Sequence, residues 1–255
     1  MGAVLSRLVR SEWTKLLTTR VWIGLLLGAC VLVGAFATLF TAFAGNADSG
    51  IAPVGTPDYE QVALAVSANA TILFIVLGII GTTQEYRHRT ATPTFLASPH
   101  RGRVIIAKLV AYALAAIPMA LIVLAVDVLV VSVYAGAKGA APSLAGDNLR
   151  VLGGAWAALV IYAVIGVGVG ALVRNQVGAI VGVLVYLFVV ETIVQAIPAI
   201  NGAYKWLPGG ALEAMTATFG QTDLLSAWQG GLVLLGYGLV AAVLGTLLAV
   251  RRDVV

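Results

Sequence analysis

Val21-Trp22-Ile23-Gly24-Leu25-Leu26-Leu27-Gly28-Ala29-Cys30-Val31-Leu32-Val33-Gly34-Ala35-Phe36-Ala37-Thr38-Leu39-Phe40-Thr41-Ala42-Phe43-Ala44 carries no charged side chain and follows Arg20 and a basic leader. A helix needs roughly 20 mostly apolar residues to cross a bilayer, so this stretch is long enough to span one. The run is continuous, whereas strands of a membrane barrel alternate apolar and polar over about 10 residues. Working outward, five more stretches read the same way: Val62 to Thr82, Val104 to Tyr134, Val151 to Val173, Val177 to Pro198 and Gly231 to Val250. The third of the six is longer than a span needs, so it tilts or extends into water. Composition agrees, with 60% hydrophobic and 10% charged residues and a mean hydropathy of +1.01. A soluble domain carries about 25% charged residues. The 255 residues therefore read as an all-α membrane protein, one transmembrane domain over 1–255 with six transmembrane helices. Ala42-Phe43-Ala44 fits an A-x-A cleavage site. The apolar run and its leader are longer than a secretory signal has, so the stretch reads as a span.

The net charge of +4 and pI near 9.4 match many nucleic-acid binders, but the placement of the charges excludes that class. With the N-terminus in the cytoplasm, Arg7, Arg10, Lys15, Arg20, Arg87, Arg89, Arg101, Arg103, Lys108, Arg174, Arg251 and Arg252 fall inside. Only Lys138, Arg150 and Lys205 fall outside, which is the asymmetry of the positive-inside rule. Both termini are thus expected in the cytoplasm. The acids Asp48, Asp58, Glu60, Asp147, Glu213 and Asp223 lie on the opposite side. Cys30, alone in the chain, lies within a span and behaves as a small hydrophobe, so no disulfide framework exists.

The connecting segments divide the work. Residues 1–20 read as an amphipathic interface helix, with Leu5, Leu8, Val9, Trp13, Leu16 and Leu17 on one face and Arg7, Arg10, Ser11, Thr14 and Lys15 elsewhere. A basic helix with a Trp on its apolar face lies flat on a membrane, either as an anchor or as a lever against a cytoplasmic partner. Residues 83–103 form a long inside loop, where two spans need only a short turn. Phe95 and Leu96 make an apolar knob there, bracketed by Pro93 and Pro99, with Thr92 or Ser98 available to cap a short helix. The loop is either a docking element or a solvated positive-inside connection. The outside segment 198–229 contains Trp206, Leu207, Leu212, Met215 and Phe219, a composition that favours short helices dipping back toward the bilayer.

Within the spans, Asp127 and Glu191 are the acids, with Gln195 one turn from Glu191. Ionisable groups in a membrane face the bundle interior or water, and the sequence offers them no obvious basic partner within a span. The pairs Gly24/Gly28, Gly166/Gly170 and Gly178/Gly182 have the spacing that lets helices approach closely. No nucleophile with a base is visible, and His88 and His100 lack companions at metal-ligand spacing. A Walker A pattern is missing, and Gly136-Ala137-Lys138-Gly139 has no strand-to-helix context that would make it a phosphate loop.

Ser11-Glu12-Trp13-Thr14-Lys15-Leu16, Arg20-Val21-Trp22, Glu85-Tyr86-Arg87-His88-Arg89-Thr90, Pro99-His100-Arg101 and Ala107-Lys108-Leu109 together resemble the ABC-2 type transporter permeases. These are the membrane subunits of bacterial ABC exporters, and the resemblance has an actinobacterial character. It covers the whole chain in layout and is concentrated in the first 110 residues. It implies that this chain is a transport subunit without an ATPase site or cofactor of its own, in the bacterial plasma membrane. A separate ABC ATP-binding subunit would hold ATP and Mg, and a second permease subunit, identical or different, would complete the pore. Glu85, Tyr86, Arg87, Arg89, Thr90, Phe95, Leu96, Pro99 and Arg101 would couple to the ATPase, beside Glu12, Trp13 and Lys15 of the interface helix. Asp127, Glu191 and Gln195 are candidates for a translocation path. The alternative is a stand-alone proton-linked secondary transporter using Asp127 and Glu191, whose class usually shows repeats and broken spans; here only Pro118 interrupts a span, and no repeat is evident. An intramembrane enzyme lacks a visible nucleophile, and a purely structural assembly role is a further reading.

Overall fold

The computed structural model describes residues 2–88, 101–216 and 224–251. Ten α-helices run through them, with no strand among the described residues. They are α1 (Gly2–Thr18), α2 (Val21–Phe43), α3 (Pro57–Ala65), α4 (Thr71–Arg87), α5 (Arg101–Ala137), α6 (Asp147–Val173), α7 (Gln176–Val185), α8 (Glu191–Ala196), α9 (Pro208–Thr216) and α10 (Ala227–Arg251). Six of the resulting segments are long and apolar enough to cross a membrane, α3–α4 and α7–α8 each counting as one. The chain is a multi-pass membrane protein by that measure.

The centre of the bundle is α6, packed against α4, α10 and α5. Close approach explains why. A Cβ on Gly78 of α4 would stand 2.1 Å from the Ala163 carbonyl, and one on Gly166 of α6 would stand 2.1 Å from the Ile75 carbonyl. Only glycine on both sides lets these backbones touch. On the same helix, Gly170 abuts Ile79 and Gly168 abuts Ala241 of α10. The other two glycine pairs do not form crossings: Gly24 and Gly182 have no atom within reach of a Cβ, Gly28 meets only Leu73, and Gly178 faces its own cap Asn175. Accordingly α2 and α7–α8 are the least buried spans, with Leu27, Val31, Val177 and Phe188 exposed.

Two spans are irregular where sequence suggested continuity. Between α3 and α4, Val66–Ala70 is a 3₁₀ turn. Between α7 and α8, Tyr186–Val190 is a π-helical segment. Pro118, by contrast, sits inside an unbroken α5. Neither run, Val66-Ser67-Ala68-Asn69-Ala70 nor Tyr186-Leu187-Phe188-Val189-Val190, contains a glycine or proline, and the first carries the polar Ser67 and Asn69, whose side chains bond backbone carbonyls of the same span. Each of the two spans nonetheless runs as one helix through its change of pitch, Pro57–Arg87 and Gln176–Ala196.

Short junctions are set by backbone chemistry. Arg20, between α1 and α2, and Arg174, between α6 and α7, both adopt left-handed conformations, with φ of 54° and 57°. Asn175 then caps α7 by accepting from the Gly178 N–H at 2.9 Å. At the other end of the bundle, Lys138 donates to the carbonyls of Thr41 and Ala42 at the close of α2. Beyond α8 the chain forms a 3₁₀ turn, Asn201–Trp206, and then α9, which packs on α10 and α6.

Candidate functional site

The amphipathic α1 lies against α5, and its inward face contains more than the apolar residues. Leu5, Leu8, Val9 and Trp13 are half-buried and Leu16 is buried, while Leu17 is exposed at 46%. Glu12 lies in the middle of that stripe, one turn from both Leu8 and Leu16, and retains only 3% exposure. Its partner is Lys108 of α5, 1% exposed, whose ammonium bonds the Glu12 carboxylate directly. Lys108 also donates to Glu85 of α4 at 3.0 Å and to the Gly81 carbonyl at 3.3 Å. Lys15 closes the ring, donating to Glu12 at 2.6 Å and to Glu85 at 2.7 Å. Burial opposes the Lys15 charge, but Glu12 and Glu85 outweigh it and raise its pKa above the ordinary lysine value.

This balanced ring of two acids and two bases joins three elements at one end of the bundle. Gly81 makes room for it: a Cβ there would collide with the Tyr112 ring, and its carbonyl helps to solvate Lys108. A buried ion pair is held only when its remaining valences are met, and here each charge has at least two partners.

The geometry revises several sequence expectations. Glu85, expected to couple to a partner, is 5% exposed and paired within the chain. Lys108, counted as an inside flanking charge, is a buried cation, but its partners are Glu12 and Glu85, not Asp127 or Glu191. Tyr86 is half-buried with the Arg174 guanidinium 5.5 Å over its ring, and Arg87 is exposed. Arg89, Thr90, Phe95, Leu96 and Pro99 lie outside the described residues, as does the side chain of Arg101, which begins α5. Beside the ring, a cleft of about 500 Å³ is lined by Lys15, Thr18, Gln84, Glu85 and His88.

The second polar site lies toward the far end of the spans. Glu191 follows the π segment and is 3% exposed. One of its oxygens accepts the Gly209 N–H at the start of α9, at 2.9 Å, while Oε1 has no hydrogen-bond partner. A Cβ at Gly209 would stand 2.0 Å from the Glu191 carboxylate, so a larger residue there would displace that side chain. The neighbouring Glu213 accepts from the Tyr204 hydroxyl at 2.9 Å, and its Oε2 is likewise unpartnered. Burial pushes the Glu213 carboxyl up, against the lowering effect of that hydrogen bond. Both acids, with Asn69, Thr71 and Tyr204, line a pocket of about 210 Å³. Glu213 and Tyr204 were not singled out from sequence as parts of a site, because they fall in the outside segment, far from Glu191 along the chain.

Asp127 and Gln195 do not join them. Asp127 is fully buried and accepts the Ser67 N–H at 3.2 Å, a donor presented by the 3₁₀ turn of the second span. Its role is to hold that turn against α5. Gln195 is half-buried and does not line the Glu191 pocket. Among the described residues no group of three or more His, Cys, Asp or Glu is arranged to hold a metal ion.

Set beside known proteins, the chain matches no protein-family model and no curated protein. The fold and the two polar sites therefore define a class by themselves: a six-span helical membrane protein with a charge-locked surface helix at one end and an acidic chamber toward the other.

Proposed function

We propose that the chain is the membrane subunit of an ATP-driven exporter of the ABC-2 permease type. In this reading both termini are cytoplasmic in a bacterial plasma membrane, and residues 83–103 meet a separate subunit that binds ATP and Mg. A second permease subunit, covering part of the exposed faces of α2 and α7–α8, completes the path. The observation that carries the reading is the ring of Glu12, Lys15, Glu85 and Lys108. It ties α1 to the ends of α4 and α5, the two helices that flank residues 89–100. A push on that connection or on α1 thereby moves the two spans as one unit, which is how a partner biases a bundle between two packings. The polar cleft beside Glu85 lies at the same end and supports docking there.

Co-purification tests this. The chain is expressed with its neighbouring ATPase candidates and extracted in mild detergent. Recovery of an ATP-hydrolysing subunit is expected, with activity that falls several-fold for Phe95→Ala or Glu85→Ala. A stable chain that never retains an ATPase defeats the proposal.

A second reading has an observation of its own. The second and fifth spans are both interrupted, and each interruption lies against a buried acid, Asp127 or Glu191. A change of helical pitch beside an ionisable group is a milder form of the discontinuous spans found in secondary transporters. Proton-driven uptake or efflux in vesicles containing this chain alone would favour that reading.

A further inference from the structure

The Glu191 pocket adjoins a larger one. A cleft of about 400 Å³ between α4, α6, α7 and α10 is lined by Ile75, Val183, Tyr186 and Leu244 and is almost wholly apolar. Tyr162 and Leu187 belong to the lining of both. Tyr162 is 1% exposed and comes from the central helix, so the wall between the chambers is fixed. The π segment supplies Tyr186 and Leu187 to the apolar chamber and ends at Glu191, which faces the polar one. Single π turns inside helices are frequent at functional sites.

The charge pattern gives the chemistry. The polar chamber has two carboxylates among its lining residues and neither lysine nor arginine. Each carboxylate has one oxygen satisfied by the protein and one buried oxygen with no partner. At the other end of the molecule the buried carboxylates are instead paired with lysines of the chain itself. Buried acceptors are expensive unless a donor reaches them.

We infer that the two adjoining chambers bind an amphiphilic organic cation, with a protonated amine on the free oxygens of Glu191 and Glu213 and one compact apolar body beside Tyr186 and Val183. Together the chambers fall in the range of about 300–1,000 Å³ typical of small-ligand sites. Amine binding would be charge-assisted on both carboxylates, and the apolar cleft would supply the rest by burial. The inference adds a cargo class to the proposed exporter and depends on that reading only for the direction of transport.

The test uses the purified full chain in nanodiscs of phosphatidylcholine and phosphatidylglycerol, without any ATPase subunit. Failure here therefore leaves the co-purification result untouched, and the reverse also holds. The probes are 4-phenylbutylamine and its uncharged counterpart 4-phenylbutanol, titrated by saturation-transfer NMR. The amine is expected to bind at least about ten-fold more tightly, the equivalent of one charge-assisted contact. Glu191→Gln should remove that preference and leave the alcohol unchanged, and Glu213→Gln should reduce it independently. Gly182→Leu should weaken both probes, because Gly182 lines the apolar cleft and a Cβ there meets no atom within 4 Å. Equal binding of amine and alcohol, or an unaltered preference in both Gln variants, would overturn the inference. So would displacement of the amine by Mg²⁺, which points to a metal ion. Loss of amine binding when phosphatidylethanolamine is added to the disc would assign the site to a lipid headgroup instead.

Discussion

At the end of the bundle that carries α1, Lys15 and Lys108 interlock with Glu12 and Glu85 until every charge is matched. Toward the other end, Glu191 and Glu213 face a common pocket with no basic residue in its lining. Glu12, Glu85 and Glu191 are all buried, yet the two sites use them in opposite ways. Matched charges fix the relative positions of three helices and leave nothing for a ligand. Unmatched acceptors hold their own positions through Gly209 and Tyr204 and keep their remaining valences open. The difference teaches where to seek mechanical coupling and where to seek cargo.

The largest expected effect separates the two ends. Lys108→Met leaves two buried carboxylates with only Lys15 between them and is expected to cost about 3–5 kcal/mol. Chemical unfolding in detergent measures the loss, and hydrogen exchange across α1 shows whether the helix undocks. Adding Glu12→Gln to Lys108→Met should return part of the stability, with a coupling of about 0.5–3 kcal/mol. Glu191→Gln retains an acceptor for Gly209 and removes no ion pair, so a loss under about 1 kcal/mol is expected. Equal costs for Lys108→Met and Glu191→Gln would abolish the contrast.

A packing comparison comes next. Gly166→Val forces a side chain into the Ile75 carbonyl and is expected to cost at least about 1–3 kcal/mol, whereas Gly182→Val faces open space and should be near neutral. Thermal unfolding of the two variants in the same detergent checks this. Asp127 then sharpens the account of the acids. Asp127→Leu strands the Ser67 N–H and should cost about 1–3 kcal/mol, while Asp127→Asn keeps an acceptor and should lose less. Among the polar variants Lys138→Met is mild: it removes the cation from the carbonyl end of α2, with an expected loss of about 0.3–1 kcal/mol by the same assay.

Much of this architecture was legible in the chain. Long, mostly apolar runs marked the six spans, and the 3.6-residue period exposed α1. The ring was harder to see because 96 residues separate Glu12 from Lys108, and topological counting treats every flanking lysine as surface charge. One signal was present nonetheless: Glu12 falls on the apolar stripe of α1, between Leu8 and Leu16, where an acid requires a partner. Lys108 carries the mirror signal, lying between Ala107 and Leu109 in an apolar run. The helical interruptions at 66–70 and 186–190 left no such trace. A tighter or looser turn within a span changes which side faces inward without needing a glycine or proline to mark it. Glu191 was visible as an intramembrane acid, but its companions Tyr204, Gly209 and Glu213 come from the connection after the span, and only tertiary packing brings them together.

The charge ring also sets an order for biosynthesis. Glu12 is made 96 residues before the buried cation that secures it, Lys108, near the start of the third span. Until the ribosome has delivered that segment and the membrane has received it, the first helix carries an acid on its apolar face with no buried counter-charge. The docking of α1 therefore waits for a helix far downstream of it, and marks the point at which α1, α4 and α5 have come together.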